Sequence, residues 1–227
     1  MTILGIDTAT PATAVALLLD DGGLYEARDD AEPGTRGHHT ECVLELARTL
    51  LEQAGLDWSD IDHVAVGLGP GGYTGLRIGV ATAAGLARSV GASLRGIGTL
   101  RALALAVAGA TALTILDARR GELFAAAYAA DVELLAPCVV VPAQLSTLAV
   151  GASELPLLAV GDGAIAHRSR LDEAGIAVAP AGSVVHRVSA SAICRLAAAR
   201  AVDGGAPVVP MYLRLPDAEI ALRAAKP

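Results

Sequence analysis

The sequence predicts an α/β protein of two lobes, each a mixed sheet with flanking helices, on three observations. The first half of the chain orders as three strands, a helix, a strand and a helix. The second half repeats that order. A hydrophobic content of 53% over 227 residues then supplies enough apolar material for two cores.

Residues 2–7 and 13–20 alternate or run apolar as strands, Asp20-Asp-Gly-Gly23 makes a hairpin turn, and 24–28 reads as a third strand. A polar stretch from Asp29 to Gly37 precedes a helix from about His38 to Ala54. An apolar strand from His63 to Val66 enters a glycine-rich loop, and a second helix runs from about Gly75 to Val90. In the second half, strands are expected near 112–117, 122–129 and 133–140. A helix after Pro142, a strand at 157–160, the turn Gly161-Asp-Gly163 and a further helix follow. A helix over Ser189–Val202 and a strand-like tail at Pro207–Leu215 close the chain.

This duplication resembles the actin-like or hexokinase-like ATPase fold, and crossover helices after antiparallel strands fit that layering. A short apolar helix between Gly98 and Gly109 joins the halves. It divides the chain into an N-terminal lobe, 1–103, and a C-terminal lobe, 104–227, with a returning tail.

The loop after the His63–Val66 strand packs five glycines and a proline into residues 67–75, so backbone must approach something closely there. Gly67, Gly69 and Gly72 match G-x-G-x-x-G literally. A dinucleotide site needs an acidic residue about 20 positions on, however, and Gly91-Ala-Ser-Leu-Arg95 offers none.

Composition excludes several classes. Net charge is −7, with 17 basic residues against 24 acidic ones and Lys226 the sole lysine. Binding of nucleic acid by the chain alone is therefore disfavoured, as are a P-loop lysine and an internal Schiff-base lysine. The longest uncharged run, Leu134 to Ser153, is broken by Pro137, Pro142, Gln144, Ser146 and Thr147, so no transmembrane helix is expected. The amino terminus lacks a positive segment followed by a sustained apolar one, which predicts a cytoplasmic protein. Cys42, Cys138 and Cys194 lie far apart and read as buried free thiols.

The run Gly69-Pro70-Gly71-Gly72-Tyr73-Thr74-Gly75-Leu76-Arg77 resembles the G-P-G-S-[FY]-T-G-[LI]-R signature of the TsaB (YeaZ) family, with Gly72 in place of the usual serine. Gly5-Ile-Asp-Thr-Ala-Thr-Pro-Ala-Thr-Ala-Val-Ala16 looks like that family's first strand pair. Pro210-Met-Tyr-Leu-Arg214 looks like its C-terminal P-x-Y-[LV]-R. The resemblance covers nearly the whole chain.

It implies a non-catalytic subunit of the machinery that forms threonylcarbamoyl-adenosine beside the anticodon of tRNAs reading A-starting codons. The implied partners are the catalytic transferase TsaD and the ATPase TsaE, with tRNA engaged only through the complex. Whether the isolated chain forms a homodimer, and whether a nucleotide sits at a subunit interface, stay open; no resident cofactor is expected.

In the actin-like superfamily, turns after the first strand of each half and a glycine pair form the nucleotide site. Asp7-Thr8-Ala9, Asp117-Ala-Arg119 and Gly161-Asp-Gly163 stand at matching places. An aspartate at a strand end can hold hydrated magnesium and short turns present amides to phosphate, but such turns also simply cap strands. The bulky Arg119-Arg120 pair argues against an intact, independent ATP site.

The catalytic paralogue carries an H-x-x-x-H pair. Here His38, His39, His63, His167 and His186 include no two residues four apart, so no metal site is expected. His38-His39 reads as a solvent-side helix start. No G-x-S-x-G is present, and His186 near Ser189 falls in no recognisable triad order.

The two helices of the first half are apolar on more than one stripe. Val43, Leu44, Leu46, Ala47, Leu50, Leu51 and Ala54 crowd the first. Leu76, Ile78, Val80, Ala81, Leu86 and Ala87, interleaved with Gly79, Ala83, Ala84 and Gly85, crowd the second. Burial in a tight monomer is one reading; a partner interface centred on Leu44, Ala47, Leu51, Leu76, Val80, Ala83, Ala84 and Ala87 is the one the resemblance implies. The rival to the scaffold function is a self-sufficient enzyme, an ATP-dependent small-molecule kinase or a metallopeptidase.

Overall fold

The computed structural model describes residues 1–30, 38–107, 109–152, 156–199 and 208–214. The first lobe contains β1 (Ile3–Asp7), β2 (Thr13–Leu18), β3 (Leu24–Asp29), α1 (His39–Ala54), β4 (His63–Gly67), α2 (Tyr73–Val90) and β5 (Ser93–Ile97). A short helix, α3 (Thr99–Ala104), leads into β6 (Thr111–Arg119), β7 (Glu122–Ala129), β8 (Val132–Val140), α4 (Leu145–Ala152) and β9 (Leu157–Val160). Then follow α5 (Asp162–Ala166), α6 (Arg168–Glu173), β10 (Ala177–Val178) and α7 (Ala190–Ala199).

The two sheets are copies in topology. The first orders β3-β2-β1-β4-β5 and the second β8-β7-β6-β9-β10. In each, the first three strands pair antiparallel and the last two join parallel through helical crossovers. The central strands are buried on both faces, which explains why β1 reads as an unbroken apolar run rather than an alternation.

Five layers result. On one face of the first sheet, Leu4, Ile6, Val15, Leu17, Val64 and Val66 pack against α1 and α2. On its other face, Ile3, Ala14, Ala16 and Ala65 meet α3 and α7. The second sheet's inner face, with Ala112, Leu116, Phe124 and Ala126, covers α3 through Leu100 and Leu103. Its outer face carries Leu145, Ala164 and Leu171 of α4, α5 and α6. Although late in sequence, α7 thus belongs to the packing of the first sheet, and Gly5 admits it: a Cβ there would lie 2.5 Å from Cys194 Sγ.

Several features differ from the sequence reading: the single helix expected after Gly161-Asp-Gly163 is split into α5 and α6, and the two-residue β10 is an unexpected edge strand. β5 is an additional edge strand, short and half-buried, with Arg95 and Gly96 inside it. α2 begins at Tyr73, two residues early. The tail is no strand over its described residues, Val208 to Arg214. It is an irregular strap that crosses both lobes: the Met211 amide donates to Leu68 O at 2.7 Å, and Arg214 reaches Ala118 O at 2.7 Å and Glu122 at 3.0 Å. Pro210, which cannot donate, breaks any ladder there. Residues 200–202 of the expected last helix and 31–37 of the polar stretch lie outside the described residues. Among the described residues no helix is long and apolar enough to cross a membrane.

Candidate functional site

A cleft of about 520 Å³ opens between the lobes. The first lobe contributes the β1–β2 turn (Thr8, Ala9, Thr10, Pro11), His39, and the Gly71–Gly75 loop with the start of α2. The second lobe contributes Leu116 to Arg119, Phe124 and Asp162. The glycines of the loop are spent inside the lobe. A Cβ on Gly71 would lie 2.2 Å from Ala9 O, and on Gly75 2.2 Å from Thr8 O, so α2 sits directly on the first turn. Gly79 continues this face, 2.2 Å from Thr8 Oγ1 by the same measure. These three glycines therefore admit the lobe's own turn; of the small residues expected to let another helix approach α2, Gly79 is taken up in this way, while Ala84 and Gly85 face outward. Thr8 Oγ1 donates to Gly75 O at 2.8 Å and the Gly72 amide to Ala9 O at 2.8 Å, locking loop to turn.

The sequence-predicted residues divide. Thr8, Asp117, Arg119, Gly71, Tyr73, Thr74 and Gly75 all line the cleft. Asp7 does not: it is 1% exposed, with Oδ1 accepting from the Ala9 amide at 2.9 Å and Oδ2 from Thr99 Oγ1 at 2.8 Å. Thr99 Oγ1 in turn accepts from the Gly69 amide at 3.1 Å. Asp7 is thus a bolt behind the cleft wall rather than the cation ligand the turn pattern suggested. Burial raises its carboxyl to about 6, against the lowering effect of those hydrogen bonds.

In the second lobe, Asp117 Oδ1 accepts from the Arg119 amide at 2.7 Å, and its amide donates to Asp162 Oδ1 at 3.0 Å. Arg119 and Arg120 adopt positive φ, 66° and 54°, which carries the β6–β7 hairpin past the cleft. Gly161 and Gly163 lie behind Asp162. Gly161 has φ of 109° and a Cβ would meet Ile115 O at 2.0 Å, so glycine is required there. Asp162, missed in the sequence reading, faces the cleft; burial raises its carboxyl, offset by the Asp117 and Gly163 amides it accepts from.

The largest correction is His39. It is no solvent-side helix start: it is 8% exposed, its Nδ1 lies 2.8 Å from Thr13 Oγ1, and burial lowers its imidazole below the ordinary range despite the nearby Asp29 carboxylate. His38 remains exposed. The signal was present in the i, i+4, i+8 spacing of His39, Val43 and Ala47, all buried on one stripe of α1. His186 is structural, its ring bridging Gly161 and Ala179 O. Of the cysteines, Cys194 is buried, its thiol pushed up to about 12, while Cys42 and Cys138 are only half-buried.

The expected interface set also divides. Ala47, Leu51, Leu76, Ala83 and Ala87 are buried in this lobe's own core and offer no surface. Leu44, at 48% exposure, and Ala84 face outward, and Val80 is half-buried. At the other end of α2, Tyr73 and Tyr212 pack with ring centroids 5.0 Å apart. The Arg77 guanidinium lies 4.2 Å from the Tyr73 ring and donates to Tyr212 OH at 3.2 Å. Two distant sequence motifs therefore meet there. Among the described residues, no three His, Cys, Asp or Glu side chains gather as a metal centre would need.

A family model described as TsaD, tRNA N6-adenosine threonylcarbamoyltransferase, matches residues 34–222. An uncharacterized protein of Mycobacterium tuberculosis is 34% identical over 96% of this chain and 94% of its own length. The tRNA threonylcarbamoyladenosine biosynthesis protein TsaB of Escherichia coli is 39% identical over 58% of this chain and 56% of its own. A Pseudomonas aeruginosa crystal structure, described as similar to peptidase YeaZ, superposes with a TM-score of 0.74 at 26% identity. That match covers 94% of this chain and 99% of the other. A Thermus thermophilus ROK hexokinase, at 13% identity and a TM-score of 0.53, shares the fold alone. With its signature loop seated on the first turn and its C-terminal motif strapped across both lobes, the chain belongs to the TsaB (YeaZ) family, within the sequence family that the TsaD model describes.

Proposed function

We propose that this chain is a non-catalytic subunit in the formation of threonylcarbamoyl-adenosine on tRNA, pairing with a TsaD-type transferase that carries the chemistry and with a TsaE-type ATPase. The observation that carries the reading is the state of the cleft carboxylates. Asp7 is sealed behind the wall, Asp117 is committed to the Arg119 amide, and Asp162 is committed to the Asp117 and Gly163 amides. A general base must reach its proton within hydrogen-bond distance, and groups held in turn caps are poorly placed to do so. His38, His39, His63, His167 and His186 include no two residues four apart, so the paired-histidine pattern of the catalytic paralogue is missing from this sequence. A kinase or metallopeptidase reading lacks any comparable support.

The partner surface, on this reading, is the outward side of α1 and α2 around Leu44, Val80 and Ala84. The test is co-elution with the host's TsaD homologue. Leu44→Glu combined with Ala84→Glu places unpaired carboxylates in a surface that would become buried, a penalty of several kcal/mol on the order of a modest binding energy. Pairing is expected to be lost with circular dichroism unchanged. Undiminished pairing would remove this surface from the account, and failure of the unmutated chain to pair at all would remove the subunit reading.

A further inference from the structure

We propose that the cleft binds a small oxyanion, the phosphate or carboxylate end of a small organic molecule, on the first turn of α2, with His39 Nε2 as side-chain donor and without a divalent cation. This site goes beyond the subunit reading and does not depend on it.

α2 is 18 residues long and starts behind Gly72, which has no side chain to cap it. The amides of Tyr73, Thr74 and Gly75 have no hydrogen-bond partner among the described residues, and all three residues line the cleft. Free amides at the positive end of a helix dipole attract anions.

The second, independent observation is His39. It is 8% exposed and lines the same cleft, and its Nε2 abuts the helix start: a Cβ on Gly75 would lie 3.2 Å from it. Nε2 has no partner among the described residues. The Thr13 hydroxyl, wholly buried, has His39 Nδ1 as its one described partner, 2.8 Å away. That hydroxyl is satisfied by donating to Nδ1, which leaves the imidazole proton on Nε2. Nε2 is not buried away from solvent but opens on the cleft, where its N–H is available to an acceptor held at the start of α2.

The carboxylates of the cleft do not compete for the opposite role. Asp117 and Asp162 belong to the far wall, each capping its own turn through one carboxylate oxygen, and Asp7 is sealed away, so the wall of the cleft that carries the α2 amides has no carboxylate to hold a metal beside the anion. A volume of about 520 Å³ exceeds what an inorganic anion fills and suits a small organic molecule bearing one.

The test is calorimetric titration of the full chain with inorganic phosphate and, separately, acetate, each with and without magnesium, while NMR follows the Thr74 and Gly75 amides and the His39 ring. The tighter of the two anions identifies the end group. Gly72→Ser is the decisive variant: Gly72 has φ of −62° and a Cβ would meet only Ala9 O at 3.7 Å, so serine fits and its hydroxyl occupies the free amides. It is expected to weaken binding about tenfold without loss of thermal stability, whereas Gly72→Ala retains binding. His39→Gln is expected to weaken binding similarly. No binding of either anion, binding that leaves those amides and the ring unmoved, binding indifferent to Gly72→Ser, or binding that requires magnesium would each overturn the proposal.

Discussion

Replacing Asp7 with asparagine tests how the first turn is held. The side chain is 1% exposed, accepts from the Ala9 amide and Thr99 hydroxyl, and has its carboxyl raised from 3.8 to about 6, chiefly by burial. Because the folded-state value lies above the unfolded one, the folded chain keeps a proton that the unfolded chain releases between about pH 4 and pH 6. The stability this group contributes is therefore fully present below about pH 4 and is lost as pH rises through about 6. A difference of roughly two pH units at 1.36 kcal/mol each corresponds to about 3 kcal/mol. Asparagine keeps the shape and an acceptor for the Ala9 amide, and it does not titrate. Urea unfolding from pH 3 to pH 8 is the assay. The stability of Asp7→Asn minus that of the unmutated chain is expected to climb by about 3 kcal/mol across that range. A difference that stays flat would refute the assignment of a buried, titrating carboxyl to this turn.

Other perturbations follow from the same contacts. Gly75→Ala drives a methyl to within 2.2 Å of Thr8 O and is expected to destabilise by about 1–3 kcal/mol in chemical denaturation, with cleft binding impaired. Leu51→Ala, in the core at 2% exposure, is expected to cost about 2–5 kcal/mol, whereas Leu44→Ala stays within about 0.5 kcal/mol, so the melting temperatures separate buried from outward residues of one helix. With 17 basic residues against 24 acidic ones, the chain alone is expected to bind tRNA no tighter than roughly 10⁻⁴ M at physiological salt. Filter binding in the micromolar range would refute that.

The duplicated sheets were legible because strands buried on both faces run apolar and their order repeats. β5 was not, because Ser93-Leu-Arg-Gly-Ile97 carries a charge and a glycine on a half-buried edge, where pattern is weakest. Val208 to Leu213 reads as a strand by composition, yet it packs as a strap whose partners lie in two lobes, and no local pattern encodes that. The small residues of α2 divide between two environments: Gly79 receives the first turn and Ala83 is buried in the core, while Ala84 and Gly85 face outward. Asp7 was found by position, but its role was not, since sealing by Thr99, 92 residues away, is a tertiary fact.

The central claim, that this chain supports threonylcarbamoyl-adenosine formation without supplying a catalytic group, is tested most directly by reconstitution. Purified TsaD and TsaE homologues, tRNA and the threonylcarbamoyl donor are assayed by nucleoside mass spectrometry without this chain, with it, and with an Asp117→Asn, Asp162→Asn variant. The account predicts modification that requires the chain and that the double variant supports at a rate within a few-fold of the unmutated one. Modification by this chain without the transferase, or a loss of several orders of magnitude in the folded double variant, would contradict it.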